Sequence, residues 1–132
     1  MSKLTAFLQP IPAGKTKEVY IADRFKDESG KVQPFVVQAI TPEKNEQISR
    51  ESMDSNGRLD AAKYGNKLIV TCVIQPDLKD AELCKYYGVM DPEAVPSIMF
   101  SVGEKQILQE AILEINDLKR SQESRLEKAK NS

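Results

Sequence analysis

The chain contains no histidine and no tryptophan. Without histidine it lacks the commonest general base and the commonest metal ligand. Ser–His and Cys–His nucleophiles are excluded outright. Only two cysteines occur, Cys72 and Cys84, too few for a disulfide framework or a zinc site. Both fall on apolar faces of separate predicted helices and read as reduced core residues. Long apolar runs are also missing. The longest, Leu68 to Ile74, has seven residues, against the roughly 20 that a membrane-spanning helix needs. The apolar stretch near the start is too short for a secretory signal and is followed by Gln9-Pro10, so the protein is expected in the cytoplasm. Charge of one sign is absent too: 19 basic residues face 20 acidic ones, leaving no overall field for nucleic acid or an anionic membrane.

What is present is a length of 132 residues, enough for one domain with one modest core. Leu4, Phe7 and Leu8 lie at i, i+3, i+4 spacing and predict one amphipathic turn, either docked on the body or exposed as a hook. Gly14-Lys15-Thr16 imitates the end of a phosphate-binding loop, but Gln9 stands where the first glycine is needed and a strand pattern follows. Lys17 to Phe25 and Val32 to Ile40 alternate as strands around the turn Asp27-Glu28-Ser29-Gly30, predicting a β-hairpin. Pro34 predicts an edge strand or a bulge.

Thr41-Pro42-Glu43 is a helix start, with a helix expected to about Met53. Asp54-Ser55-Asn56-Gly57 reads as a turn; it lacks the later acid of a calcium loop. Asp60 caps a broad-faced helix through about Ile74. The β-branched run Ile69, Val70, Thr71, Val73, Ile74 also fits a buried strand, but the helical period extends back to Ala61 and favours the helix. Pro76 ends it. Asp77 or Asp80 then caps a short helix, Leu78 to Tyr87, closed by Gly88. Asp91-Pro92-Glu93 starts another, kinked or ended near Pro96. Val95, Ile98, Met99, Phe100 and Val102 cannot all point inward from it, so Met99 and Phe100 are candidate contacts for a partner, as are Phe7 and Leu8. Gly103-Glu104 opens a last helix with the stripe Ile107, Leu108, Ala111, Ile112, Ile115, Leu118, expected to pack on the Asp60 helix.

The fold expected is therefore mainly α with a small N-terminal β-hairpin, an α+β domain over residues 1–118. Residues 119–132 form a polar tail with five basic residues, two acids and one large hydrophobe, Leu126. Its charge of +3 alone is a weak basis for nucleic-acid binding. The residue pattern contains no catalytic, cofactor or metal set, and the chain reads as non-enzymatic.

Several segments together carry a likeness. They are Arg24-Phe25, Gly30-Lys31, Pro34-Phe35 and Ala39-Ile40-Thr41; then Pro76-Asp77-Leu78-Lys79-Asp80-Ala81-Glu82-Leu83 with Tyr87-Gly88-Val89; then Gly103-Glu104, Ile112 and Ile115-Asn116. In this order they resemble the XkdN-like phage tail assembly chaperones, over about residues 4 to 118. The most specific part is the signature Pro76, Asp77, Leu78, Asp80, Leu83, Tyr87, Gly88. Two departures stand out: Asp117 follows Asn116 where the family usually has glycine, and Ser97 to Val102 replaces a leucine-rich run ending in Pro-Gly. The resemblance implies a chaperone without catalysis or cofactor, working in the bacterial host cytoplasm of a phage or prophage system. Its implied partners are the tape measure protein and the tail tube protein, and it leaves before the virion is finished. The alternative is a structural tail or connector protein retained in the particle.

Overall fold

Among the described residues five helix starts use the same device, a short polar side chain that accepts a hydrogen bond from an otherwise orphaned N–H of the first turn. Thr41 accepts from Lys44 N and opens α1 (Pro42–Glu51); Asp60 accepts from Lys63 N and opens α2 (Ala61–Cys72). Asp80 accepts from Leu83 N and opens α3 (Ala81–Tyr86). Asp91 caps a single 3₁₀ turn, Pro92–Ala94, that runs into α4 (Val95–Met99). Ser101 opens α5 (Val102–Ile115) with a reciprocal capping box through Glu104. The computed structural model describes residues 3–10 and 14–118.

Three short antiparallel strands complete the fold: β1 (Thr16–Val19), β2 (Phe35–Gln38) and β3 (Val73–Gln75), in the order β1-β2-β3. Thr16 pairs with Gln38 and Val19 with Phe35. On the other side Val36 faces Gln75 and Val37 faces Val73, with a register shift between Val36 and Val37. The hairpin predicted from sequence exists with shorter strands. Its turn is built by Asp27, whose carboxylate accepts from the N–H groups of Ser29 and Lys31.

Three expectations change. β2 is the central strand, so Pro34 marks neither an edge nor a bulge; it stands one residue before the ladder, where its missing N–H costs no ladder bond. The helix from Asp60 stops at Cys72, and Val73–Gln75 leaves as a strand because it can pair with β2. Pro96 neither kinks nor ends a helix: it lies in the first turn of α4, where no N–H is required.

Phe35 and Val37 point from one face of β2 into a core shared with Ile69 and Cys72 of α2, and Leu108 and Ile112 of α5. α5 lies against α2, β1 and β2. At its N-terminal end Phe25, Phe35 and Phe100 meet edge to face, with centroids 5.0–6.1 Å apart. Arg24 locks this corner. Its guanidinium lies 4.1 Å from the centroid of Phe25, donates to both carboxylate oxygens of Glu104 at 3.0 and 2.6 Å, and donates to Met99 O. Residues 119–132, the predicted tail, lie outside the described residues.

Candidate partner-binding surfaces

α2 and α5 run in the same direction across the sheet. Gly65 in the first half of α2 faces Gln109 in the middle of α5, and Cys72 lies against Asn116 at their ends. A Cβ on Gly65 would sit 3.2 Å from Gln109 Nε2, the far end of a side chain that would have to give by a few tenths of an ångström. Glycine within a helix is destabilising by roughly 1 kcal/mol relative to alanine.

Along this seam two hollows adjoin at Leu68. One, of about 290 Å³, is lined by Ala61, Tyr64 and Gly65 of α2 with Gln109, Ile112 and Leu113 of α5. The other, of about 280 Å³, is walled by Ala39, Ile40 and Pro42 on one side and Ile115 and Leu118 on the other. Both linings are mostly apolar, and the two hollows share Leu68; the first lies between α2 and α5, the second between the start of α1 and the end of α5. Its charged neighbours are mutually neutralised: Lys17 pairs with Glu114 at 3.1 Å and Lys15 with Asp117 at 3.8 Å. Its corner is fixed by Asn116, which accepts from Ile40 N at 2.9 Å and donates to Ile112 O at 2.8 Å. Burial pushes the Tyr64 phenol up, and its hydroxyl donates to Asn45. Burial also pushes the Cys72 thiol up to about 11, which keeps it protonated and unreactive.

The second surface is the edge made by α3 and the turn that follows. Asp77 accepts from Lys79 N, Asp80 caps α3, and Leu78 is completely buried. At the other end Gly88 takes φ +70°, Gly88 N donates to Lys85 O, and Val89 N donates to Cys84 O. This is the Schellman pattern, which satisfies the last carbonyls and favours glycine in the left-handed position. The seven signature residues therefore set a backbone path. Leu78 is core, Pro76, Leu83 and Tyr87 are half-buried, and Asp77, Asp80 and Gly88 are exposed. The path leaves Tyr86 84% exposed and Met90 fully exposed.

Of the candidate contacts read from sequence, Phe7 and Leu8 are exposed, at the end of a 3₁₀ segment, Lys3–Phe7, that buries no residue. Met99 and Phe100 are each only 7% exposed: their side chains are spent on the core, beside Phe35 and the Arg24 corner. Sequence reasoning missed the hollows and the pair Tyr86 and Met90. A signal for the first hollow exists in the secondary faces Ala61, Tyr64, Gly65, Leu68 and Gln109, Ile112, Leu113, both at helical spacing.

Among the described residues no group of three His, Cys, Asp or Glu side chains could hold a metal ion, and no helix is long and apolar enough to cross a membrane. The chain is 34% identical over 124 residues to the uncharacterised protein YqbN of Bacillus subtilis (strain 168), covering 86% of this chain and 83% of that protein. It is 32% identical over 133 residues to protein XkdN of the phage-like element PBSX of the same strain, covering 89% of each. The crystal structure of YqbN superposes with a TM-score of 0.73 at 30% identity, over 88% of this chain and 97% of that one. A model of the phage XkdN-like tail assembly chaperone proteins matches residues 4–130. With nearly the whole length matched, the chain belongs to the XkdN-like phage tail assembly chaperone family.

Proposed function

We propose that this chaperone binds the tape measure protein during tail assembly, keeps its apolar helices soluble, and assists the tail tube subunits in assembling around it. It acts in the bacterial host cytoplasm, for a phage or a prophage, and leaves before the virion is complete. The observation that carries this reading is the pair of mostly apolar hollows that share Leu68, one between α2 and α5 and one beside the end of α5. A helix laid in such a surface inserts side chains at i, i+3, i+4 and i+7 spacing. Each Å² of apolar surface removed from water contributes about 25 cal/mol. Two small hollows give a modest total, which suits a partner that must later be released. No step of this cycle makes or breaks a covalent bond, so the absence of histidine is no handicap.

Co-expression with the tape measure protein tests the reading. The expected result is a more soluble tape measure protein that co-purifies with this chain. No association, with both proteins soluble alone, contradicts it. Mass spectrometry of purified particles separates the reading from a structural tail or connector role: abundant full-length chain in mature particles favours the latter.

A further inference from the structure

Asn45 stands where the two hollows meet. It lines the second, and its side chain is bonded to Tyr64, which lines the first. The Tyr64 hydroxyl donates to Asn45 Oδ1. A planar amide held at its oxygen carries its nitrogen on the opposite prong, away from that contact. This nitrogen, Nδ2, brings two N–H donors and has no hydrogen-bond partner among the described residues. Asn45 is half-buried, so in the free chain water satisfies those donors.

The other polar side chains of the linings are either committed or loose. Lys15 pairs with Asp117, and Thr41 caps α1. Asn116 accepts from Ile40 N and donates to Ile112 O. The Gln109 amide is tethered by no hydrogen bond among the described residues and can swing to water as the first hollow is covered. Asn45 can do so only by giving up its bond to Tyr64. A helix that covers the second hollow therefore strips water from a fixed donor, and a donor buried without an acceptor weakens binding about tenfold or more. A carboxylate is a poor acceptor here, because Lys15, the cation of the linings, is already paired and does not offset its desolvation.

We infer that Asn45 sets the specificity of the proposed site: its Nδ2 donates to an uncharged acceptor, a serine, threonine, asparagine or glutamine side chain, set within the apolar face of the partner's helix. This rests on the proposed binding of the tape measure protein and narrows it, since a uniformly apolar helix strands the donor.

Overlapping peptides covering the tape measure protein of the same phage or prophage, titrated against the full chain, supply the probe, and the tightest binder is carried forward. Asn45→Leu combined with Tyr64→Phe removes the donor together with the hydroxyl that holds it. No polar group of the pair is left orphaned, so the melting temperature should stay near that of wild type. A site that reads only apolar surface binds the peptide at least as tightly in this double variant; the expected result is a loss of at least about tenfold. Tyr64→Phe alone keeps the donor and frees the amide to turn, and should lose only about two- to fivefold. Replacing the acceptor residue of the peptide by alanine should weaken binding to wild type about tenfold and leave binding to the double variant unchanged. That last comparison includes wild type, so it holds whatever the stability of the variants. Double-variant affinity at or above wild type overturns the inference, as does a tightest peptide with no such acceptor on its apolar face; in both cases the tape measure reading stands. If wild type captures neither peptide nor co-expressed tape measure protein, both fall.

Discussion

The hollow between α2 and α5 and the edge around α3 adjoin in sequence but are made by opposite means. In α2 the information lies in apolar side chains: Leu68, Ile69, Val70 and Cys72 are buried, and the helix is placed by what it packs on. In α3 it lies in backbone satisfaction: Asp77, Asp80 and Gly88 close hydrogen bonds at both ends of a helix with only Cys84 buried. The lesson is that the residues carrying the sequence likeness set a path of the main chain, while the exposed and concave surfaces are formed by other residues. Tyr86 and Met90 are held out by that path, and the hollows draw on Ile40, Leu113 and Leu118 from distant parts of the chain.

The contrast can be broken first at its strongest point. Ile69 is fully buried between the sheet and α5, so Ile69→Ala should cost about 2–5 kcal/mol in urea denaturation, through lost transfer energy and the cavity left behind. At the α3 edge the largest single loss should come from the backbone. Gly88→Ala forces a Cβ into the left-handed region and should cost about 1–2 kcal/mol, although no neighbouring atom would be touched. If Gly88→Ala were as damaging as Ile69→Ala, the two regions would not differ in the way described.

A third prediction concerns the corner that joins α5 to the N-terminal hairpin. The Arg24 guanidinium, and then Ser101 N, hold the Glu104 carboxyl at about 2, against its ordinary 4.5. A depressed folded value means that the unfolded chain binds more protons between the two values, so stability rises with pH there. The contribution should be fully present above about 4.5 and lost as pH falls through about 2. Melting temperatures of wild type and Glu104→Gln should differ at pH 6 and converge below pH 2. A gap unchanged down to that pH would deny the carboxylate its role.

How much of this was legible in the sequence depended on whether the cause was local. Caps at Thr41, Asp60 and Asp80 were readable because a capping side chain bonds three residues ahead. The central helix and the stripe of α5 were readable from their period. The strand Val73–Gln75 was not, since Val73 and Ile74 continue the apolar run and only their pairing with β2, far away in the chain, makes them extended. The Arg24–Glu104 pair spans 80 residues and leaves no local trace. The hollow between α2 and α5 was hidden for the same reason, because each wall is an ordinary helix face and the concavity exists only once the helices are side by side. Asp117, singled out in the sequence after Asn116, takes φ +61°, the left-handed conformation that favours glycine. Asp117→Gly should therefore stabilise the chain by up to about 1 kcal/mol, less any contribution from the pair with Lys15, and a lower melting temperature would contradict this.

The most direct measurement sets the two surfaces against each other with the proposed partner present. The tape measure protein is co-expressed with wild type, with Leu113→Glu plus Leu118→Glu in the hollows, and with Tyr86→Ala plus Met90→Ala on the α3 edge. All three chaperones should fold, since Tyr86, Met90 and Leu118 are exposed and Leu113 is half-buried. The account predicts soluble, co-purifying tape measure protein with wild type and with the edge variant, and its loss to the pellet with the hollow variant. Full solubility and co-purification with a folded hollow variant would contradict it.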